Sequence, residues 1–399
     1  MMSIFHNIKQ FLTDVLYIWR RELIQVIHDE GVLIFLVFVP LGYPLLYSWI
    51  YNNEAVHEVP VVVVDHSHSQ LSRQFIRDCD ATGEVRVACF ANDLDEARSI
   101  VSRQFVKGVY LIPADFATRI NRGESATVSV YCDMSVMLIY KAIYQTAAVE
   151  AGRLGAGLKI RKSGNYTKRE DAVTVQPLAV DDVAMFNPSG GYGSCLLPAV
   201  LLLILQQTLA LGIGMAAGTA RERHRNKQLI PDNDPHYSGP LRIAFGKLLC
   251  YGMIAAVTSA YLSMAIPRMF SFPQLASGWT LLFMMLPYVV ACIFFGMAVS
   301  CIVRYRENVM LIMVFVSVPL LFLTGVSWPQ TNIPGYWQGV SWLFPSTFGV
   351  RAYVRANSMG ATIDQILPEI RLLWIQAAAY FGFACFVYYR QLCKLRKGE

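Results

Sequence analysis

LIFLVFVPLGYPLLYSWIY, Leu33 to Tyr51, contains no charged residue. At a rise of about 1.5 Å per residue, about 20 apolar residues cross the hydrocarbon core of a bilayer, so this stretch reads as a transmembrane helix. Pro40 and Pro44 interrupt its backbone ladder and predict a kink. The same criterion applied further along the chain gives Gly193–Gly218, Gly246–Ile266, Trp279–Val303, Val309–Ser327 and Leu372–Tyr389. Whole-chain composition agrees: 55% of the 399 residues are hydrophobic and only 16% charged, with a mean hydropathy of +0.40. Soluble domains carry about a quarter charged residues, so lipid is part of this chain's solvent.

Ahead of the first span, Ile4, Ile8, Phe11, Val15, Trp19, Leu23 and Val26 recur at helical spacing, while Lys9, Asp14, Arg20, Glu22 and Asp29 lie on other faces. Such a helix fits the membrane interface, apolar side down. Basic residues set the orientation. Arg20 and Arg21 precede the first span, and Arg221, Arg223, Arg225, Lys227, Arg242 and Lys247 follow the second. Arg304 and Arg306 follow the fourth span, and Arg390, Lys394, Arg396 and Lys397 follow the last. With six spans all these clusters fall on one side, which places both termini in the cytoplasm. The net charge of +6 is thus spent beside the spans and does not indicate a nucleic-acid partner.

Between the first two spans the pattern changes to alternating strand and helix. VPVVVVD (Val59–Asp65), EVRVACF (Glu84–Phe90), GVYLIP (Gly108–Pro113) and ATVSVYCD (Ala126–Asp133) read as strands. SQLSRQFIRDC and LDEARSIVSRQF between them read as helices, and a long helix over Met134–Leu158 follows. Lys159–Arg169, with few apolar residues, reads as a flexible segment. The expected fold is an α-helical polytopic membrane protein, about six transmembrane helices, with an inserted extracytoplasmic α/β domain. A Cys79–Cys89 bridge or two free thiols both fit the cysteine pattern, which lacks any CxxC pair.

Chemistry-bearing motifs are few. Gly246-Lys247 has Leu241 in place of the first phosphate-loop glycine and Leu248 in place of the magnesium-holding Ser or Thr, so it is not a nucleotide site. His66 and His68 flank Ser67 as H-x-H, read as a polar turn in preference to a metal site because no third ligand accompanies them. Gln206 and Gln207 point about 100° apart, so at most one faces lipid comfortably. One of them lies on a translocation path, or they make an interhelical hydrogen bond. Ala210, Gly212, Gly214, Ala216, Ala217 and Gly218 thin one end of that span for close helix contact, within the subunit or across a dimer seam. Trp328–Ile370 is too polar to span and too apolar for free coil, which suits re-entrant or interfacial helices with Trp337, Trp342 and Phe344 at headgroup level.

Taken together the chain resembles the permease subunit of type-2 ABC exporters, in the branch with a large external domain between the first two spans. The resemblance is carried by WRRELIQVIHDEGVLIFLVFVPL, by VVVVDHSHSQLSRQF with Asp65, Ser67 and Arg73, by GVYLIPADF and GESATVSVYCD, and by VSWPQTNIPGYWQGVSWLFPSTFGVRAYVRANSMG. It implies residues 1–32 as a cytoplasmic interfacial helix bearing Trp19, Arg20, Arg21 and Glu22, then a first transmembrane helix over 33–51. Residues 52–192 would be the extracytoplasmic domain with its helical return, and 193–399 a five-helix transmembrane domain. That domain would carry a cytoplasmic coupling loop, 219–246, with Glu222, Arg223, His224, Arg225, Gly246 and Lys247 contacting the ATPase. Its external re-entrant segment, 328–370, would carry Pro334, Trp337, Pro345 and Arg351.

The resemblance also implies separate ABC ATPase subunits holding ATP and Mg, a second permease copy (homo- or heterodimer), room for a periplasmic adaptor, and the bacterial cytoplasmic membrane as location. This chain itself would hold no cofactor and catalyse nothing. The family's Glu-x-Glu followed by Gly-Thr is altered here: His224 stands in the second Glu position and Gly-Thr is replaced, as in the less regular half of a heterodimer. A membrane-anchored sensor or adaptor, the other reading of this layout, would need a cytoplasmic output domain.

Overall fold

The computed structural model describes residues 2–52, 56–103, 105–176, 185–187, 191–223, 228–231 and 234–397. It divides into two compact units, Met1–Asn52 with Ala184–Glu399, and Asn53–Val183.

Among the described residues the first unit holds six helices long and apolar enough to cross a membrane: Glu30–Ile50, Tyr192–Arg223, Pro240–Met269, Gly278–Ile302, Arg306–Leu323 and Ile363–Leu395. A separate helix, Met2–His28, precedes them. The break between that helix and the first span falls at Asp29, whose extended backbone and side chain cap the next turn by accepting from the Val32 amide. Two spans contain a wider π turn just before a proline, Ile34–Phe38 ahead of Pro40 and Tyr261–Ala265 ahead of Pro267. Proline lacks an amide hydrogen and its ring crowds the carbonyl four residues back, so the ladder re-forms one residue longer. For Pro267 that carbonyl is Ser263, which accepts from the Gln274 side chain at 2.8 Å.

The Tyr192–Arg223 span is the hub, buried along most of its length. A side chain at Gly212 would overlap Leu36, one at Gly214 would lie 2.5 Å from Val309, and one at Gly218 would lie 2.8 Å from the Arg306 backbone. The small-residue stripe therefore packs within the chain, against the first and fifth spans.

Where an external loop was expected to be re-entrant, the structure has a 3-10 turn (Gln330–Asn332) and short helices Gly335–Ser341 and Pro345–Tyr353. A π turn (Val354–Ser358) follows, before the last helix begins at Ile363. The last helix thus takes in residues 363–370 of the expected segment.

Among the described residues the second unit has a four-stranded sheet: β1 (Val59–Asp65), β2 (Val85–Phe90), β3 (Gly108–Ile112) and β4 (Ser129–Cys132), in the order β2-β1-β3-β4. β1 runs parallel to β2 and β3, and β4 antiparallel to β3. β1, with consecutive valines over Val61–Val64, is covered on both faces, as that continuous apolar run requires. Val61 and Val63 pack with Phe75, Ile76 and Tyr110 under helix Gln70–Asp80. Val62 and Val64 pack with Ala97 and Val109 under helix Leu94–Ser102. Cys79 lies in the first cluster and Cys89 beside the second, on opposite faces and unbonded, so the sheet itself separates the two thiols. The 159–169 stretch is more ordered than its composition suggests. Helix Met137–Ser163 runs through it to a left-handed Gly164, and Thr167 with Glu170 forms a capping box that starts helix Lys168–Val175.

Candidate functional site

The charged ends of the spans form a connected set of ion pairs built on helix Met2–His28. One face of this helix lies along the first half of span Pro240–Met269, where Ile18 fits against Gly246: a Cβ there would come within 2.6 Å of Ile18. Around that contact three acids and bases of the helix are fastened in turn. Asp14, 3% exposed, accepts from Arg242 and from His236, the latter at 2.6 Å. Arg21 pairs with Asp234 at 2.5 Å and lies over the Tyr237 ring. Glu22 pairs with Lys247 at 2.6 Å and accepts from the Tyr251 hydroxyl at 3.1 Å. Glu22 and Lys247 side chains are only 6% and 7% exposed, so each is the other's main substitute for water.

A second knot ties three spans. The Asp29 carboxylate accepts from Thr219 at 2.8 Å and from Arg306 at 2.9 Å, in addition to the Val32 amide. Burial alone would raise the Asp29 pKa, but the Thr219 and Val32 hydrogen bonds and the Arg306 charge together hold it below its ordinary value. Nearby, the buried Arg221 guanidinium donates to the Val303 and Cys301 carbonyls at the end of the fourth span.

These contacts relocate several residues expected in a coupling loop. Among the described residues one helix extends to Arg223 and the next begins at Pro240, so residues 219–223 and 240–246 of the expected coupling loop are helical. Gly246 and Lys247 lie inside a helix and face the N-terminal helix, because close packing at Gly246 and the Glu22 charge draw them inward. Glu222 and Arg223 remain exposed at the helix end, while His224, Arg225 and Lys227 lie outside the described residues. Of the N-terminal quartet, Arg20 is exposed, Arg21 and Glu22 are paired, and the Trp19 indole nitrogen is buried without a partner among the described residues.

Gln206 is buried and accepts from the Ser346 amide at 2.6 Å, acting as the N-terminal cap that helix Pro345–Tyr353 lacks locally. Its neighbour Gln207 has no partner for either amide atom among the described residues. Pro334 and Pro345 each start a short helix, Trp337 is exposed, and Arg351 lies over the Phe348 ring. Residue types alone do not give Asp14 and Asp29 their partners, nor single out Asp234, Tyr251 or Thr219. The usable signal was the acids on an otherwise apolar-striped helix facing a basic stretch 220–247.

A family model described as ABC-2 family transporter protein matches residues 31–386, from the first span to the last. The chain belongs to the ABC-2 transporter family. No match to a curated protein was found. As an ABC-2 transporter protein it is the membrane permease component of an ABC transporter, a multi-pass subunit whose family works with ABC ATPases on separate subunits.

Proposed function

We propose that this chain is one half of the membrane part of an ATP-driven exporter in a bacterial cytoplasmic membrane. It works as a dimer with a second permease copy, and two ATPase subunits carrying ATP and Mg dock at the charged ends of its spans. The observation that carries this reading is the family match across all six spans, combined with an exposed Glu222–Arg223 helix end beside a pinned N-terminal helix. Basic residues at those ends (Arg21, Arg242, Lys247, Arg304, Arg306, Arg390) support a cytoplasmic location for both termini. The α/β unit, with a periplasmic adaptor as a candidate partner, then lies outside, and the 328–370 segment sits at the outer interface.

In this mechanism the permease carries force, not bonds. ATP on the partner subunits favours one of two arrangements, and the differential contacts at the 224–239 connection transmit it. A push there reaches span Pro240–Met269 directly and the N-terminal helix through Asp234, His236 and Arg242. The Asp29 knot passes it to the first, second and fifth spans. In this reading Gln207, whose side-chain amide has no partner among the described residues, lies on the substrate path. The test is a pull-down: Glu222→Lys reverses an exposed charge and is expected to weaken capture of the co-expressed ATPase without changing permease yield. Unchanged capture removes Glu222 from the docking surface.

A further inference from the structure

The α/β unit contains a cavity that the carrier mechanism does not use. It has a volume of about 560 Å³, within the range of small-molecule sites. It opens at the carboxyl ends of β1 and β2, where Asp65 and Phe90 stand, the edge at which open α/β sheets bind their ligands. We propose that this cavity binds a small organic anion, a carboxylate or phosphate carried on an aromatic or apolar body.

The turn that shapes the cavity is built in advance. The Asp65 carboxylate accepts from the Ser67 amide at 2.9 Å, the His68 amide at 3.1 Å and the Ser72 hydroxyl at 2.8 Å. His68 is thereby held at a φ of 44°, a left-handed conformation that costs a non-glycine residue energy and that clusters at ligand sites. Ser69 and Ser72 cap each other reciprocally and start helix Gln70–Asp80 directly behind the turn.

That helix supplies the charge. Arg73 and Arg77 are one turn apart and both line the cavity. Arg73 donates to the His68 carbonyl at 3.2 Å, which orients it, and the Arg77 guanidinium has no partner among the described residues. Asp65 is occupied by its three donors, so two arginines against one satisfied carboxylate leave the cavity positive. A guanidinium fork matches the paired oxygens of a carboxylate or phosphate. Phe90, 64% exposed at the end of β2, and the buried Ile76 supply the apolar wall for the rest of the ligand.

The inference is independent of the transport cycle and is tested by binding alone. Full-length protein in nanodiscs is titrated with phenyl phosphate, benzoate and, as the uncharged control, phenol, using isothermal calorimetry. Saturable one-to-one binding of at least one anion, with phenol silent, is expected. Arg77→Gln alters an exposed side chain that has no hydrogen-bond or ion-pair partner among the described residues, and should weaken that binding at least about ten-fold. Phe90→Ala should weaken phenyl phosphate more than inorganic phosphate. No saturable binding of either anion, or binding that Arg77→Gln leaves unchanged, overturns the proposal.

Discussion

Replacing Lys247 by Met isolates the energetics of the buried pair that holds the N-terminal helix. In the wild type the Lys247 ammonium lies 2.6 Å from Glu22, with both side chains under a tenth exposed. Removing the ammonium leaves the Glu22 carboxylate buried with the Tyr251 hydroxyl as its remaining donor. Stripping one partner from a buried ion pair costs about 3–5 kcal/mol, because the other charge keeps its desolvation penalty. If that is the cause, removing the whole polar set should restore stability. The triple variant Glu22→Leu, Lys247→Met, Tyr251→Phe leaves no orphaned charge or hydroxyl and is expected within about 1 kcal/mol of the wild type. The assay is thermal unfolding in detergent, followed by tryptophan fluorescence, with limited proteolysis reporting release of residues 2–28. Wild-type stability in Lys247→Met, or a triple variant no better than the single one, refutes the reasoning.

Asp29, with its pKa held low in the fold, stabilises the protein at pH values above the ordinary carboxylate range, and that contribution fades as pH falls through the lowered value. Asp29→Asn should therefore lower stability at neutral pH and flatten the acid limb of a melting-temperature profile below about pH 4. Gly349→Ala forces a methyl into the ring of Tyr288, a fully buried side chain whose hydroxyl donates to the Leu202 carbonyl at 2.6 Å. Thermal melts should show a loss of about 1–3 kcal/mol there. Gly42→Ala, which meets open space in a helix, should be neutral or stabilising by up to about 1 kcal/mol. Burial pushes the Cys79 thiol up to about 12, so mass spectrometry after maleimide treatment at mildly alkaline pH should find Cys79 unmodified in the folded protein and modified after denaturation.

The spans were legible because each is a long apolar run, and length and hydropathy are local properties. The strands of the α/β unit were legible for the same reason, and the continuous valines of β1 announce burial on both faces. What periodicity could not supply was the partner of each polar group. Glu22 and Lys247 are 225 positions apart, and a basic residue close to a span looks the same whether it faces a loop or a buried acid. As a loop, Gly246-Lys247 reads as a docking feature, whereas the glycine is what lets the N-terminal helix approach closely enough for the pair to form. Gln206 shows the same limit: the amide was conspicuous, but its role as a cap depends on a helix start 140 residues later.

The central claim, that a separate ATPase engages the charged end of the spans, is tested most directly by site-specific photo-crosslinking in the assembled transporter. With a photoreactive residue in place of Glu222, the account predicts an adduct with the ATPase chain. The same residue in place of the exposed Tyr131, in the α/β unit, should give none. Capture of the ATPase at 131, or its absence at 222, would contradict the account.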